Sequence, residues 1–477
     1  MLDFARYFSS HSIAPMRFLK FLLALFCLCG FFPASAQSPA EAAAKLSPLP
    51  APSASARELF AKHKARMVQV RVLRKSANEQ SGLGSGFVVE DRGVEGAYVV
   101  TNYHVISALV INPDKFRIEL RHTSERAVKA TLIAVDVIHD LAVLRTEPDA
   151  ARPAWPVFSL RDTALVQGER IFALGHPLEL GFLISEGIYN GLVEARIYEQ
   201  ILFSGALNSG MSGGAAIDES GRVVGVNVAT YENAMLISFL VPARYARALL
   251  GQAVKAAPRK EWRSEIGSQL LVHQQFMAGK LLDMSAKGGA PEDPALAARA
   301  KAGYGTQMLS GRAVPTLDGS LTKCWAGGRD GERVRFQRDS LYCALKSSVY
   351  VQGNRFGPMH TGSLSLTHVL LRNEKLATPQ FLKLDRQNRF ALSASRSGGA
   401  DMTPSECRDD YLSGTEHVYR VSVCLRAYRK FEGLYDFTIE AIQVDDARER
   451  LESWLHLNGV SFENGERLSR MFLERLQ

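Results

Sequence analysis

A serine set among glycines is the residue of this sequence best placed to act as a nucleophile. Ser212 stands in the segment Gly210-Met211-Ser212-Gly213-Gly214. A serine hydroxyl attacks a carbonyl when a base takes its proton and when backbone N–H groups stabilise the oxyanion. Flanking glycines let the chain turn tightly, so the N–H groups of Gly210 and Ser212 are predicted to form that oxyanion hole. A plain glycine-rich turn is the alternative interpretation of this segment taken alone.

A histidine and an aspartate upstream of Ser212 are suited to assist it. His104 follows the apolar run 97–100, and Asp140 directly precedes the apolar run 141–144. An imidazole with a pKa of about 6.5 acts as a general base and then as a general acid near neutral pH. A buried aspartate beside it would hold its tautomer and stabilise the imidazolium. The sequence therefore predicts a base and an orienting carboxylate for Ser212.

Three other histidines compete with His104 for the role of base on sequence grounds. His176 lies in a Gly-His-Pro turn, and His139 adjoins Asp140. His122 is the third of these histidines. We expect structural roles for all three.

The elements that must position these groups are short apolar runs bounded by turn residues. Their length and β-branched content indicate strands, and their number between about residues 57 and 257 indicates a barrel or a sandwich. Asp218 to Gly221 is predicted to form a hairpin turn. The predicted strands are 86–89, 97–100, 116–120, 132–137, 141–144, 170–174, 192–195 and 223–228.

Five motifs lie in a fixed order along the same region. They are GSGFVV at 84–89, TNYHVI at 101–106, HDLAVL at 139–144, ALGHP at 173–177 and SGMSGGAAIDESGRVVGVNVA at 209–229. Together they resemble trypsin-like serine proteases of the HtrA/Deg type, and the resemblance extends over about residues 60–250. Their joint presence is far more specific than any single match. The chain order His104, Asp140, Ser212 is also that of the chymotrypsin-type triad.

This resemblance implies a fold and a set of roles. The fold is an all-β, chymotrypsin-like double β-barrel with the site in the cleft between the barrels. His104 is then the base, Asp140 its orienting partner, Ser212 the nucleophile and the Gly210 N–H part of the oxyanion hole. Such a mechanism needs neither a metal nor an organic cofactor.

The sequence departs from the HtrA-type pattern around the nucleophile. Met211 stands where an Asn or Asp is usual, and Ala215 stands where a Pro is usual. Ala206 lies six positions before Ser212, where tryptic enzymes carry an acidic residue at the base of the specificity pocket. We therefore expect a small or medium apolar residue on the acyl side of the cleaved bond, in place of Lys or Arg.

Residues 1–36 have the features of a secretory signal peptide. Arg17 and Lys20 precede an apolar run over 21–32, and Ala34-Ser35-Ala36 has the small-residue pattern of a cleavage site. We expect cleavage after Ala36 and a periplasmic or secreted protein. Membrane anchoring is the alternative, although the run is shorter than the roughly 20 residues that a span needs. Anchoring through a lipid-modified cysteine is a weaker alternative, and Met16 is a second candidate start.

The charge of the mature chain excludes a strongly basic binding protein. Residues 1–36 carry three basic groups and one acidic group, so their removal lowers the formal charge from +8 to +6. The basic residues form no cluster, so we expect no nucleic-acid partner. We also expect no stable membrane span once the signal peptide has been cleaved.

With 477 residues, the chain is too long for a single core of ordinary size. We divide it into the signal peptide, an Ala/Pro/Ser-rich tether at 37–56, a protease domain at 57–257, a helical connector at 258–308 and a C-terminal domain at 309–477. Helices are predicted at 242–250, 261–284, 447–457 and 466–476, and alternating strands at 419–425 and 435–439. The C-terminal domain should therefore be α+β and rich in strands. It contains no recognisable PDZ pattern, and its role stays open.

Four cysteines remain in the mature chain, and we expect them to form two disulfides in an exported protein. Three pairings are open, and proximity favours Cys324 with Cys343 and Cys407 with Cys424. A zinc site is the alternative, although no paired Cys-x-x-Cys motif accompanies these residues.

These observations lead to one main hypothesis and two alternatives. The main hypothesis is an exported serine endopeptidase that acts on protein or peptide substrates, misfolded or regulatory envelope proteins in particular. The first alternative is a binding or chaperone-like protein built on a protease fold with weak or no activity. The second is a latent protease whose cleft is blocked by the connector or the C-terminal domain. The resemblance also makes a homo-oligomer, a trimer in particular, worth testing.

Overall fold

The structure is a computed structural model, and its described residues begin at Ala54. The predicted signal peptide, residues 37–53 of the predicted tether and residues 284–303 of the predicted connector lie outside them. Among the described residues, no helix has both the length and the apolar character that a membrane span requires. The described residues are 54–122, 127–149, 154–177, 180–194, 196–230, 236–257, 259, 261–283, 304–317, 322–329, 335–354, 357–384, 401–414 and 416–476.

The first half of the predicted protease region is a closed barrel of six antiparallel strands in the order β1-β2-β3-β6-β5-β4. Helix α1, Ala54–His63, precedes it, and helix α2, Tyr103–Ile111, connects β3 to β4. The strands are β1 Met67–Arg74, β2 Glu79–Asp91, β3 Ala97–Thr101, β4 Phe116–Arg121, β5 Ala127–Asp136 and β6 Leu141–Thr146.

The second half is another closed six-stranded antiparallel barrel, in the order β10-β11-β12-β9-β8-β7. Helix α3, Ala243–Ala253, follows it, in agreement with the helix predicted there. The predicted strand at 192–195 is wrong, because β8 ends at Leu192. The strands are β7 Arg170–Gly175, β8 Leu183–Leu192, β9 Ile201–Phe203, β10 Ala215–Ile217, β11 Val223–Thr230 and β12 Ser238–Pro242. The predicted chymotrypsin-like double barrel is confirmed.

The strands form where apolar side chains alternate, because one face of each strand can then fill a barrel. In β1, Val68, Val70 and Val72 are fully buried, whereas Gln69 and Arg71 between them are partly exposed. Side chains at the barrel junction form a third core shared by both barrels. This shared core fixes one barrel against the other, and the segments around His104, Asp140 and Ser212 meet at that junction.

The C-terminal region is built on a seven-stranded antiparallel sheet in the order β15-β16-β19-β23-β22-β21-β20, with two separate hairpins, β13-β14 and β17-β18. The strands are β13 Gly305–Leu309, β14 Arg312–Thr316, β15 Thr322–Arg329, β16 Phe336–Leu345, β17 Val349–Asn354, β18 Gly357–Thr361, β19 Ser363–Asn373, β20 Glu406–Ser413, β21 Val418–Ala427, β22 Tyr435–Gln443 and β23 Glu449–Val460. Its short helix is α5 Thr378–Lys383, and its last helix is α6 Phe462–Glu474. The predicted α+β character is confirmed.

The predicted helix at 447–457 is wrong, because this segment belongs to strand β23 in the middle of the sheet. The charged residues of this segment suggested that one side of a helix faces solvent. In the structure, Arg450 and Glu452 are instead buried and paired with each other, with 2.8 Å between guanidinium and carboxylate. Charges that are paired inside the protein do not mark an exposed helix face. The predicted helix at 466–476 corresponds to most of α6.

Helix α4, Arg263–Asp283, joins the two parts of the molecule, as the spacing of its apolar residues predicted. Near its start, Ile266 and Leu270 are buried in the same core as the first barrel. Near its end, Met277 and Leu281 are buried in the core of the C-terminal sheet. One helix therefore contributes to two cores.

Two disulfides tie the outer strands of the C-terminal sheet to their neighbours. Cys324 on β15 is bonded to Cys343 on β16, and Cys407 on β20 is bonded to Cys424 on β21. These are the pairings that proximity favoured. With all four sulfurs in disulfides, this structure leaves no thiolate for the alternative zinc site.

Candidate active site

Ser212 lies in the loop between β9 and β10, and both barrels hold this loop. From the first barrel, the Ser85 N–H donates a hydrogen bond to the Ser212 carbonyl at 2.8 Å. From the second barrel, the Asn227 carbonyl accepts a hydrogen bond from the Gly213 N–H at 2.8 Å. Gly213 has φ +82°, and a Cβ at this position would lie 2.3 Å from the Ser85 carbonyl oxygen. The loop therefore needs glycine directly after Ser212.

Ser85 is a positioning residue that the sequence analysis did not single out. Its side chain is fully buried. Its hydroxyl donates to the Gly210 carbonyl at 2.7 Å and accepts from the His176 N–H at 2.8 Å. The serine thus fixes the turn that presents the predicted oxyanion-hole group. Its place in the GSGFVV motif was the available signal.

His104 and Asp140 are joined by two hydrogen bonds. The imidazole Nδ1 lies 2.6 Å from Asp140 Oδ2, and the His104 N–H donates to Asp140 Oδ1 at 2.8 Å. The Asp140 carbonyl accepts from Asn102 Nδ2 at 2.8 Å and from the Tyr103 N–H at 3.1 Å. Because Nδ1 is occupied by the carboxylate, Nε2 is the ring atom left to take a proton from a nucleophile.

Asp140 adopts a backbone conformation that non-glycine residues rarely use. Its φ is +57°, in the left-handed region, directly before strand β6. Such strain persists only where neighbouring groups over-determine it, and it concentrates at functional sites. Here the contacts to Asn102, Tyr103 and His104 hold the residue in place.

The pKa of His104 is raised above its usual value of 6.5. Burial lowers this pKa, but the charge of Asp140 and the hydrogen bond to it outweigh that effect. The Asp140 carboxylate thus favours the imidazolium that forms when the ring accepts a proton. This is the electrostatic arrangement that a general base acting on a hydroxyl needs.

The Ser212 hydroxyl is turned toward strand β11 in this structure. It donates to the Val228 carbonyl at 3.0 Å. A hydroxyl carries one proton, so in this rotamer that proton is not given to His104. Rotation about the Cα–Cβ bond of Ser212 is needed to redirect it. Catalytic hydrogen bonds often form only when substrate is bound.

The remaining predicted residues lie around this loop. Met211 is fully buried in the core of the second barrel, so its side chain packs inward and leaves the loop surface free. Ala215 is buried in β10, and Ala206 is exposed. In the sequence, no acidic residue near Ala206 substitutes for the acid that tryptic enzymes carry at this position. The apolar preference on the acyl side therefore stays a prediction.

The three other histidines have structural surroundings. The His139 ring is hydrogen-bonded to Asp136 at 2.7 Å and stacks on Tyr245. His122 is hydrogen-bonded to the Ala65 carbonyl at 2.6 Å. Burial lowers the pKa of His176 to about 4. Among the described residues, no group of three or more His, Cys, Asp or Glu side chains is arranged to hold a metal ion.

The C-terminal region also reaches the site, which the sequence analysis did not foresee. Tyr350 on β17 presents its ring edge-on to His104, with 6.0 Å between ring centroids and an interplanar angle of 78°. The Tyr103 hydroxyl donates to the Val351 carbonyl at 2.6 Å. Helix α2, which carries His104 near its start, is therefore covered by the β17-β18 hairpin.

Comparison with known proteins agrees with this geometry. Residues 84–226 match the family described as trypsin-like peptidase domain. The chain is 31% identical over 243 residues to a probable periplasmic serine endoprotease DegP-like from Brucella suis, covering 48% of this chain and 45% of the relative. It is 27% identical over 214 residues to the serine endoprotease DegS of Salmonella typhimurium, covering 41% of this chain and 57% of the relative.

The matched part is limited in both sequence and structure. The chain spans less than half the length of the DegP-like relatives it matches. A crystal structure of the serine endoprotease from Yersinia pestis is 27% identical, with a TM-score of 0.36, and covers 43% of this chain and 68% of that one. The assignment rests on the sequence matches and the two barrels. Residues 84–226 match the trypsin-like peptidase domain family, and this region of the chain is similar to HtrA-type serine proteases.

Proposed function

We propose that this protein is an exported serine endopeptidase. Ser212 Oγ attacks a peptide carbonyl while His104 Nε2 takes the hydroxyl proton. Asp140 holds Nδ1 and stabilises the imidazolium. The tetrahedral oxyanion is stabilised by the N–H groups of Gly210 and Ser212. His104 gives its proton to the leaving amine, and water then hydrolyses the acyl-enzyme with His104 again as base.

The observation that carries this proposal is the hydrogen-bonded His104–Asp140 pair at the junction of the two barrels. Ser212 comes to the same junction, held by Ser85 of one barrel and by Asn227 of the other. The raised pKa of His104 suits a base whose protonated form must be stabilised. Curated relatives named as serine endoproteases support the same reaction.

Substrate class and location extend the proposal. We infer protein or peptide substrates with a small or medium apolar residue at the cleaved bond, because Ala206 stands where tryptic enzymes carry an acid. A periplasmic location follows from the expected signal peptide and from relatives whose names include that compartment. Assembly into a trimer is a further expectation, which sedimentation of the mature chain would test.

Digestion of casein by the full mature chain tests the proposed reaction. We expect Ser212→Ala to abolish cleavage, since the nucleophile is lost. Ser209→Ala is the matched control, because this exposed serine lies in the same loop. Cleavage that survives in Ser212→Ala, or that disappears equally in Ser209→Ala, contradicts the assignment of the nucleophile.

A latent protease is the second candidate, and one observation favours it. The Ser212 hydroxyl is bonded to the Val228 carbonyl instead of the base. Slow fluorophosphonate labelling that accelerates when a peptide substrate is added would indicate latency. Labelling that is fast and independent of added peptide would exclude it.

A further inference from the structure

A small cavity lies directly beside the proposed catalytic groups, and two parts of the chain enclose it. Its volume is about 140 Å³. The protease contributes Val137, Asp140 and Val228, and the C-terminal region contributes Ser348, Tyr350 and His360 to the wall. Ser348 directly precedes strand β17, Tyr350 lies on β17, and His360 lies on β18.

The cavity wall includes a hydrogen-bond partner of each of the two proposed catalytic groups, His104 and Ser212. Asp140 lines it and is hydrogen-bonded to the imidazole of His104. Val228 also lines it, and its carbonyl accepts the hydrogen bond from the Ser212 hydroxyl. Ser212 and His104 are each one hydrogen bond away from the cavity wall, so the cavity is within reach of a side chain next to the one whose carbonyl lies on Ser212.

Hydrogen bonds from helix α2 hold the C-terminal wall in place. The Ser107 hydroxyl donates to the His104 carbonyl at 3.1 Å, so its oxygen is free to accept from Tyr350 Oη at 3.2 Å. The next residue, Val351, accepts a hydrogen bond from the Tyr103 hydroxyl. Burial raises the pKa of Tyr350, so the phenol stays protonated and keeps donating at neutral pH. A wall fixed in this way is pre-organised for binding.

The size of the cavity suits one side chain and is too small for a free ligand. Pockets for small molecules usually have about 300–1,000 Å³. With about 30 Å³ for each water molecule in the liquid, this cavity has room for a small or medium side chain. Its wall also includes the apolar residues Ile138, Val241 and Val349.

The charges around the cavity favour an uncharged side chain. Among the described residues that line it, none is Lys or Arg. Asp140 is bonded to His104, and Glu199 is paired with Arg244. Burial lowers the pKa of His360, so this ring is neutral at pH 7. His139 also lines the cavity and is bonded to Asp136. No Lys or Arg of the wall would compensate an acidic side chain, and burying an unpaired charge is costly.

We propose that this cavity is a substrate subsite whose outer wall is supplied by the C-terminal domain. It receives an uncharged side chain next to the residue whose carbonyl is attacked, and Tyr350 limits the size of that side chain. The C-terminal domain then takes part in substrate selection. This inference rests on the proposed protease function, which names the reaction but not this subsite.

A peptide library that varies each position around the cleaved bond tests the subsite on the full mature chain. Tyr350→Ala enlarges the cavity, and Ser348→Tyr narrows it from an exposed position. For each position we compare kcat/KM of peptides with a large side chain and of peptides with a small one. At one position other than the attacked residue, we expect the ratio of these two values to rise about tenfold in Tyr350→Ala. The same ratio should fall about tenfold in Ser348→Tyr. Tyr411→Ala, an exposed tyrosine on β20, is the matched control and should leave the ratio unchanged.

The opposite shifts in the two cavity variants support the subsite, and unchanged ratios in both overturn it. If the wild-type chain cleaves no peptide, the proposed protease function fails. The subsite is then judged by fluorescence anisotropy of the same peptides on the Ser212→Ala chain. A tenfold change in the ratio of their Kd values on adding Tyr350→Ala supports it, and no change overturns it.

Discussion

The barrels and the C-terminal hairpin both contact the segment that carries His104, but they hold it by different means. The barrels act through a charge: Asp140 bonds both the ring and the N–H of His104. The hairpin acts through neutral contacts: the Tyr350 ring edge, and hydroxyl bonds at Ser107 and Tyr103. Only the first kind of contact changes the proton affinity of the base strongly. We therefore assign the proposed chemistry to the barrels, and access and substrate selection to the hairpin.

The largest expected effect comes from removing the C-terminal half. Ile266, Leu270, Val349 and Val351 are buried in one core with residues of the first barrel. Each fully buried side chain of this kind contributes about 1.5–3 kcal/mol, so their combined loss approaches the whole stability of a domain, about 5–15 kcal/mol. We expect residues 57–257 alone to show no cooperative thermal unfolding by circular dichroism, in contrast to the mature chain. If the fragment has the melting temperature of the mature chain, the barrels are stable without the C-terminal half, and this expectation is contradicted.

The next effect isolates the charge that the barrels supply. Asp140→Asn should lower kcat by about 10⁴-fold, as loss of the orienting carboxylate does in such triads. The sign of the pH effect follows from the pKa of His104, which Asp140 raises above 6.5. The base must be neutral, so wild-type activity should fall as pH drops through that raised pKa. In the variant the acid limb of the kcat/KM profile should move to lower pH. An unmoved acid limb would show that another group titrates.

A smaller effect should follow from the buried serine behind the nucleophile loop. Ser85→Ala removes the bond to the Gly210 carbonyl and leaves the His176 N–H unpaired. Buried groups left unsatisfied cost about 1–3 kcal/mol, so kcat should fall roughly 10- to 100-fold. Ser469→Ala is the control, because this buried hydroxyl donates to the Gly465 carbonyl within helix α6 of the C-terminal region. Equal kcat losses in both variants would mean that the effect is general destabilisation.

The smallest effect concerns the neutral contact between the two regions. Tyr103→Phe removes the hydroxyl that bonds the Val351 carbonyl and should lower the free energy of unfolding by about 1 kcal/mol. Tyr304→Phe removes a comparable buried bond, to Leu468 within the C-terminal region. Denaturant titration should give similar losses for both. Only Tyr103→Phe should also change the kcat/KM ratio between peptides with large and small side chains, by about threefold. If both variants give the same kcat/KM ratio, the bond between Tyr103 and Val351 does not influence substrate selection.

The sequence was informative where chemistry and local pattern coincide. Most strands of the two barrels could be predicted, because their apolar runs are bounded by turns, and the motifs placed the segments of His104, Asp140 and Ser212 in order. Ser85 was missed because its role depends on backbone groups brought near by folding. The contact of Tyr350 with Ser107 could not be predicted, since 243 positions separate them. The strand at 449–460 was mistaken for a helix because the charged residues of its buried ion pair suggested a helix face exposed to solvent.

The edge strands of the C-terminal sheet show a different reason for failure. Residues of β20 are almost all exposed, so no alternation marks them as a strand. Their order comes from pairing with β21 and from the disulfide between Cys407 and Cys424. Only the disulfide could be predicted from the sequence, because the two cysteines are close together in it. Local pattern predicts a strand only where one face must be buried.

Mapping of a fluorophosphonate adduct on the full mature chain tests the central claim most directly. We predict a single adduct, located by tandem mass spectrometry on Ser212, and its absence after Asp140→Asn at matched reaction times. An adduct on Ser209 or on a serine elsewhere, or an unmodified chain after prolonged exposure at pH 8, would contradict the assignment of His104, Asp140 and Ser212 as a working catalytic triad.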